Sequence, residues 1–330
     1  MQLSLIIISY NEREYLPQAI ESCLDQNLED SEIIIADDGS NDGSLEIIRH
    51  YAQQYPDKIR YLVHDRSDAV PGKIIASIRV SNGIKRAMEI ARGKYCRIMA
   101  GDDYLLPGSF CKDAVEFLDK HPAYSAYVGA YEKVWEDRPK LVCRAGRPTW
   151  LYWSGDYLHL SGFVFRTSMV RGRLLPRFCD DTGLHYCLAV AGKWRYRDET
   201  VMAYRQRSGS IMHESDPLEL SIMELMLMQD TYCVGKLYGQ TLARFGRPLL
   251  YVFRNRAGLQ EPKYQKYLEN CAQYPHDILA EYASYDRLPL LGKFRVLLRL
   301  ATALTLQKLL KILVLPWRLC KKIKKTLHRA

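Results

Sequence analysis

The chain has 330 residues, of which 48% are hydrophobic and 26% charged, with a formal net charge of +9. That length and apolar content support one large α/β domain with an appended segment and exclude a disordered or fibrous protein. Twelve Lys or Arg and no Asp or Glu fall within 287–330, so setting them aside turns +9 into −3 for residues 1–286. The basicity belongs to the C-terminal segment, and the expectation is that the body binds no nucleic acid.

The nine cysteines are scattered singly with no C-x-x-C pair. That argues against a disulfide framework or a zinc site and for a reducing compartment. Met1-Gln2 leads directly into a short apolar run, Leu3 to Ile8, without a basic n-region. The run is too short for a signal peptide, so a cytoplasmic location is expected.

In chain order, Leu3–Ser9 is almost continuously apolar, as expected of a strand buried on both faces. Glu14–Gln26 carries Leu16, Ala19, Ile20, Cys23 and Leu24 at helical spacing, with Pro17 acceptable in a first turn. Glu32–Ala36 predicts a second strand, Asp42–Gln54 a helix, Ile59–His64 a third strand, Asn82–Ala91 a helix and Tyr95–Ala100 a fourth strand. Repeated β-α units of this length predict a mostly parallel sheet with helices on both faces. Ser109–His121 is an amphipathic helix, and Glu219–Phe245 is strongly helical in pattern. Between them lie a Tyr/Trp-rich stretch, Trp135–Trp153, and apolar segments near Phe163 and Leu188.

Ligands of open parallel sheets bind at the carboxyl ends of the strands. Three polar clusters fall on that edge: Ser9-Tyr10-Asn11, Asp37-Asp38-Gly39-Ser40 and Gly101-Asp102-Asp103. Each alone is an ordinary turn or cap sequence. Together, in this chain order, they point to a shared crevice. Converging carboxylates hold a diphosphate poorly by themselves, but well through Mg2+ or Mn2+, which take hard oxygen ligands from both partners. Such a cation offsets charge on a departing nucleotide.

The sequence resembles the inverting family 2 glycosyltransferases of GT-A fold, from Leu3 to about Ser210. The likeness rests on the ordered set SLIIISYNEREYLPQAIESCLDQ, EIIIADDGSNDGS and NGIKRAMEIARGKYCRIMAGDDYLLPGSF. It implies a nucleotide-sugar donor, with Tyr10, Asn11, Asp37, Asp38 and Asn82 on the donor side, and Asp102 and its neighbour Asp103 as the metal residues, Asp102 the principal ligand. Ala100 stands where many members carry the first Asp of an Asp-x-Asp-Asp motif, and Ser81 stands where Arg is frequent, with Arg79 nearby. In RFCDDTGLHYCLAVAGKW, the likeness implies Asp181 as base and Asp180 as its support. An Asp opening a helix is also a common N-cap. Tyr204-Arg205-Gln206-Arg207 resembles a segment that closes over the diphosphate, with Arg207 in a slot usually held by His. His64, His159, His185 and His213 have no motif around them, and Trp150-Leu151-Tyr152-Trp153 could stack on an acceptor sugar or pack in the core.

The division expected is 1–215 for the catalytic domain (1–104 nucleotide-sugar half, 105–215 acceptor half), 216–286 for a helical extension and 287–330 for a basic amphipathic tail. The tail mixes leucines with Arg295, Arg299, Lys308, Lys311 and Lys321-Lys322-Ile323-Lys324-Lys325. It is too charged to span a bilayer and fits a helix lying on an anionic membrane surface. Lys308 lies about 220° round the wheel from Arg295, which predicts a break near Thr302–Gln307. A cytoplasmic enzyme held at a membrane would take a saccharide or polyprenyl-linked saccharide as acceptor. The competing reading is a non-catalytic nucleotide-binding or scaffold protein of the same fold. No Gly-rich dinucleotide or phosphate loop follows a strand, which sets aside dehydrogenases and P-loop enzymes.

Overall fold

The structure is a computed structural model that describes residues 1–26, 28–65, 73–143, 158–171, 181–207, 247–261 and 284–306 and a few isolated positions between and beyond them. Asp180, His213, the Trp150–Trp153 stretch, almost all of the Glu219–Phe245 helix and the Lys321–Lys325 cluster lie outside the described residues. So does the side chain of Asp181.

Among the described residues nine strands form one sheet: β1 (Leu3–Ser9), β2 (Ser31–Asp37), β3 (Ile59–Val63), β4 (Tyr95–Ala100), β5 (Tyr104–Leu105), β6 (Tyr124–Val134), β7 (Leu141–Cys143), β8 (Phe163–Arg166) and β9 (Lys193–Arg205). Their order is β3-β2-β1-β4-β8-β6-β9-β5, with β7 paired to β6. The first half, β3-β2-β1-β4, is wholly parallel, with Ser9 opposite Asp37 and Ile8 opposite Ala100. The second half is mixed, because β8 runs antiparallel to both β4 and β6 while β6 and β9 run parallel with register shifts. Those bulges explain why the sequence from Leu105 to Ala203 lacks clean periodicity.

The helices are α1 (Leu16–Leu24), α2 (Ser44–Gln54), α3 (Lys73–Ile90), α4 (Phe110–Lys120), α5 (Thr167–Val170) and α6 (Asp181–Ala191). Leu3, Leu5 and Ile7 pack in one cluster with Leu16, Ala19, Ile20 and Cys23 of α1 and Ile48 of α2. The alternate residues face α3, where Gly83 sits over Ile8 and Ala36. Helix α3 starts nine residues before the Asn82 expected from sequence. It continues through Ser81-Asn82-Gly83, a trio of weak helix formers of which Ser81 is buried and Gly83 packs over the sheet.

Arg97 of β4 is fully buried and joins the two halves of the sheet. It donates to Ser161 O at 2.8 Å, Val201 O at 3.0 Å and Cys111 Sγ at 3.2 Å. A guanidinium is tolerated there because acceptors meet it on three sides.

Two compact units divide the chain, one drawn from Met1–Thr149 with Tyr157–Glu214 and the other from Trp150–Asp156 with Ser215–Ala330. In the second, residues 247–254 and 290–306 are helical. The break expected at Thr302–Gln307 does not occur before 306. Thr302 and Thr305 instead turn their hydroxyls back onto Leu298 O and Ala301 O, at 2.8 and 2.9 Å, and the helix continues. Among the described residues no helix is long and apolar enough to cross a membrane.

Candidate active site

The carboxyl edge of β2, β1 and β4 is extended past the strand ends by backbone hydrogen bonds. Asp38 N donates to Ser9 O and Gly101 N to Ile8 O, both at 2.9 Å. The three polar clusters are therefore fixed side by side, the outer two separated by two strand spacings, about 10 Å.

The first two loops are tied together. Asp37 is buried and spends both oxygens on Ser40, accepting from its N–H at 2.8 Å and its hydroxyl at 2.6 Å. The Ser40 hydroxyl accepts in turn from Asn11 N–H at 2.8 Å, and Asn11 Oδ1 accepts from Asn41 N–H at 3.0 Å. Asn11 has φ 52°, a left-handed conformation that Asn tolerates better than most residues. Asp37 and Asn11 thus act as the frame of the crevice. Tyr10, one residue before Asn11, is exposed.

Asp38 pairs with Arg79 of α3, whose Nε donates to both carboxylate oxygens at 2.9 and 2.8 Å. Arg79 is almost wholly buried, so the pair is shielded from water. The guanidinium does reach the crevice, although the slot at Ser81 is empty of one. Asn82 lies exposed on the same helix.

At the third cluster Asp102 accepts from Arg207 Nε at 2.7 Å. The same guanidinium lies 3.5 Å from Glu12 Oε1. Glu12 is buried, its backbone N–H donates to Ser44 Oγ at 3.0 Å, and its Oε2 has no hydrogen-bond partner. A Cβ on residue 101 would sit 2.2 Å from that oxygen, so the Glu12 carboxyl lies against the Gly101 backbone. Burial, then the Asp102 charge, push the Glu12 carboxyl well above its ordinary value, and Arg207 offsets this only in part. Arg207 itself is held above its usual value: burial opposes its charge, but the hydrogen bond and charge of Asp102 outweigh that.

Asp103 faces inward. It is 1% exposed, accepts from Arg205 N–H at 3.0 Å and stands 3.6 Å from His159 Nε2. His159 Nδ1 accepts from Ser161 N–H at 3.3 Å, which leaves the ring proton on Nε2, toward Asp103. His159 also packs on Tyr204 at 4.4 Å between ring centroids. Asp103 therefore fastens the end of β9 to the end of β4. Tyr15 lies beneath both arginines, 5.0 Å from Arg205 and 5.4 Å from Arg207, and Arg205 also donates to Gln18.

Among the described residues no group of three His, Cys, Asp or Glu is arranged to hold a metal. The donor set nevertheless fits a hard divalent cation in one respect. Asp102 and Glu12 offer carboxylate oxygens to one shared cation, which here is the Arg207 guanidinium, and Glu12 Oε2 remains unpartnered.

Asp102, Arg205 and Arg207 lie in the motifs that the sequence singles out, whereas Glu12 and His159 carry no motif of their own. The signal for Glu12 was the glycine at the end of β4, which marks a close approach to the backbone. Asp181 opens α6, while His185 of that helix is buried and stacked on Phe163 at 4.3 Å.

The mixed sheet with its parallel first half is a GT-A fold, shared with solved glycosyltransferases. TarS of S. aureus, crystallised with UDP-GlcNAc, is similar at TM-score 0.58 and 16% identity, covering 93% of this chain and 88% of that one. The mannosyltransferase PcManGT of Pyrobaculum calidifontis, solved with GDP-Man and Mn2+, gives TM-score 0.51 and 14% identity, covering 93% and 86%. In sequence, residues 4–174 match the model of glycosyl transferase family 2, and the chain belongs to that family. An uncharacterized glycosyltransferase of Nostoc sp. (strain PCC 7120) is 48% identical over 228 residues, covering 62% of this chain and 65% of that protein. The chain spans less than two thirds of the length of the curated relatives it matches over such a stretch.

Proposed function

We propose that the protein is an inverting glycosyltransferase that moves a hexosyl or N-acetylhexosaminyl group from a nucleoside diphosphate to a hydroxyl of a saccharide, free or polyprenyl-linked, in cell-surface polysaccharide assembly. UDP is the nucleotide we favour, since TarS was crystallised with UDP-GlcNAc. The observation that carries the reading is the pairing of acids and arginines along one strand edge: Asp38 with Arg79, and Asp102 and Glu12 with Arg207. Acidic groups paired with arginines along one strand edge suit a ligand that brings its own negative charge and a metal.

In this reading Asp38, Arg79, Tyr10 and Asn82 hold the nucleoside, within the frame made by Asn11 and Asp37. Asp102 and Glu12 would hold Mg2+ or Mn2+, with Asp103 fixing the loop behind them. When bound, that ion neutralises charge developing on the leaving diphosphate. Arg207, released from Asp102, and Arg205 donate to phosphate oxygens. The Asp181 carboxylate, supported by Asp180, takes the acceptor hydroxyl proton. The acceptor oxygen bonds to the anomeric carbon from the opposite face, and the bond to the diphosphate breaks with its electron pair on the leaving oxygen.

Asp181→Asn tests the base. Transfer should fall by about 10²–10⁴-fold with nucleotide binding retained, because general-base catalysis is worth that much. Unchanged transfer would refute the assignment. Nucleotide binding by the wild type without transfer to any saccharide acceptor would favour the scaffold reading.

A further inference from the structure

The helix 290–306 carries two apolar faces. Val296, Leu300 and Ala303 form the inner one and are buried. On the outer face Leu290 is 85% exposed, Leu291 79%, Phe294 61%, Leu298 55% and Leu297 47%. At 100° per residue these five side chains occupy an arc of about 120°, from Leu297 through Leu290, Phe294 and Leu298 to Leu291. Rolling the helix to hide them would expose Val296 and Leu300, so the outer face stays outside whichever way the helix turns. Large aliphatic and aromatic groups left in water this way, in one contiguous stripe, mark a surface that meets another apolar phase.

The charges say which phase. Lys293 lies about 40° beyond one edge of the stripe and Arg295 about 40° beyond the other, with Arg299 a further 40° on. The outer stripe itself contains no charged residue before Lys308. No Asp or Glu occurs anywhere after Asp286, while Lys and Arg continue to Arg329. A protein partner for such a face would need an apolar groove with acidic rims. A bilayer offers hydrocarbon flanked by anionic headgroups along any line on its surface, and Lys and Arg stems can reach up to those headgroups while the stripe is immersed. The 17 residues of 290–306 extend about 25 Å, ample for an interfacial helix.

We propose that the outer face of helix 290–306 is a membrane-docking surface, lying in the interface of an anionic bilayer with Leu290, Leu291, Phe294, Leu297 and Leu298 immersed. It holds the protein peripherally, which goes beyond glycosyl transfer and does not depend on it. The cations draw the helix to the surface, and the stripe sets the depth. This face is a distinct element from the lysine cluster at 321–325, and it predicts that binding fails when the leucines are replaced even with every lysine in place.

The test is flotation of the full-length protein with vesicles of phosphatidylcholine alone or mixed with phosphatidylglycerol. Wild type should float with the mixed vesicles and at least about tenfold less with phosphatidylcholine alone. Leu291→Glu with Phe294→Glu should lose flotation about tenfold or more while leaving circular dichroism and thermal unfolding unchanged, since both side chains are exposed. Lys293→Glu with Arg295→Glu should weaken binding to mixed vesicles only. The idea is overturned if the Leu291/Phe294 variant floats like wild type. It is equally overturned if wild type ignores both vesicles and sediments as a dimer that this variant converts to monomer, which would make the stripe a contact between copies. Nucleotide-induced thermal shift, read on the same samples, reports separately on the glycosyltransferase reading.

Discussion

Gly101→Ala places a methyl group 2.2 Å from Glu12 Oε2 and 3.3 Å from Leu16 Cδ1. Real Cβ atoms essentially never approach a neighbour within 3.0 Å, so the carboxylate must retreat by about 1 Å or more. It is buried, anchored through its backbone N–H to Ser44, and faces Arg207 across 3.5 Å. Overpacking of this kind costs about 1–3 kcal/mol, and the flexible end of Glu12 puts it near 1.5 kcal/mol. The melting temperature should drop by roughly 3–6 °C for a domain of this size. A double-mutant cycle isolates the cause. In a Glu12→Ala background the sub-3 Å contact is gone and Leu16 Cδ1 at 3.3 Å is the next neighbour, so most of the cost should vanish, a coupling of about 1 kcal/mol. Scanning calorimetry on the four proteins measures it. An equal penalty in both backgrounds would refute the claim that Glu12 packs on Gly101, and with it the placement of Glu12 beside Asp102.

Three further outcomes are expected. Arg79→Met leaves the Asp38 carboxylate without its guanidinium; the urea midpoint should report a loss of about 2–3 kcal/mol, partly restored by Asp38→Asn, and an unchanged midpoint would contradict the pairing. Glu32, at the opposite edge of the sheet, accepts from Ser4 Oγ and Arg92 N–H and pairs with Arg60. Burial alone would raise its carboxyl, but those bonds hold it below the ordinary glutamate value, so its stabilisation is present above the unfolded value and lost as pH falls through the folded one. Glu32→Gln should flatten the acid side of a plot of melting temperature against pH and cost about 1–2 kcal/mol at neutral pH. Tyr15→Ala removes the ring shared by Arg205 and Arg207; diphosphate affinity should fall about tenfold with folding intact, read by calorimetric titration of UDP.

The parallel half of the sheet was legible because β1, β2 and β4 are buried on both faces and read as largely apolar runs, broken in β4 only by the buried Arg97, while α1, α2 and α4 carry one-sided periodicity. Asp102 and Asp38 were legible for a related reason, since parallel strands of known order deliver their ends to one edge. Pairings across that edge were not. Arg79 stands two residues before the slot at Ser81, about 200° round a helix, and only the long side chain packed against the sheet shows that it reaches Asp38. Asp103 looks identical to Asp102 in sequence, yet their side chains diverge, one inward to Arg205 N–H and His159, the other to Arg207. The second half was obscure because the bulged pairing of β6 with β9 breaks the alternation from which strands are read. The helix runs unbroken through Thr302 to 306 because buried Val296, Leu300 and Ala303 hold one face along it, whatever the positions of its cations.

The central claim is that Asp102, with Glu12, forms the cation-assisted end of a nucleotide-sugar site. The most direct measurement is Mn2+-dependent hydrolysis of UDP-, dTDP- and GDP-sugars by wild type and Asp102→Ala. One donor class should be hydrolysed, chelation should abolish the activity, and Asp102→Ala should lower it by about 10²-fold or more. Hydrolysis of none of the donors, or hydrolysis indifferent to Asp102→Ala, would contradict the account.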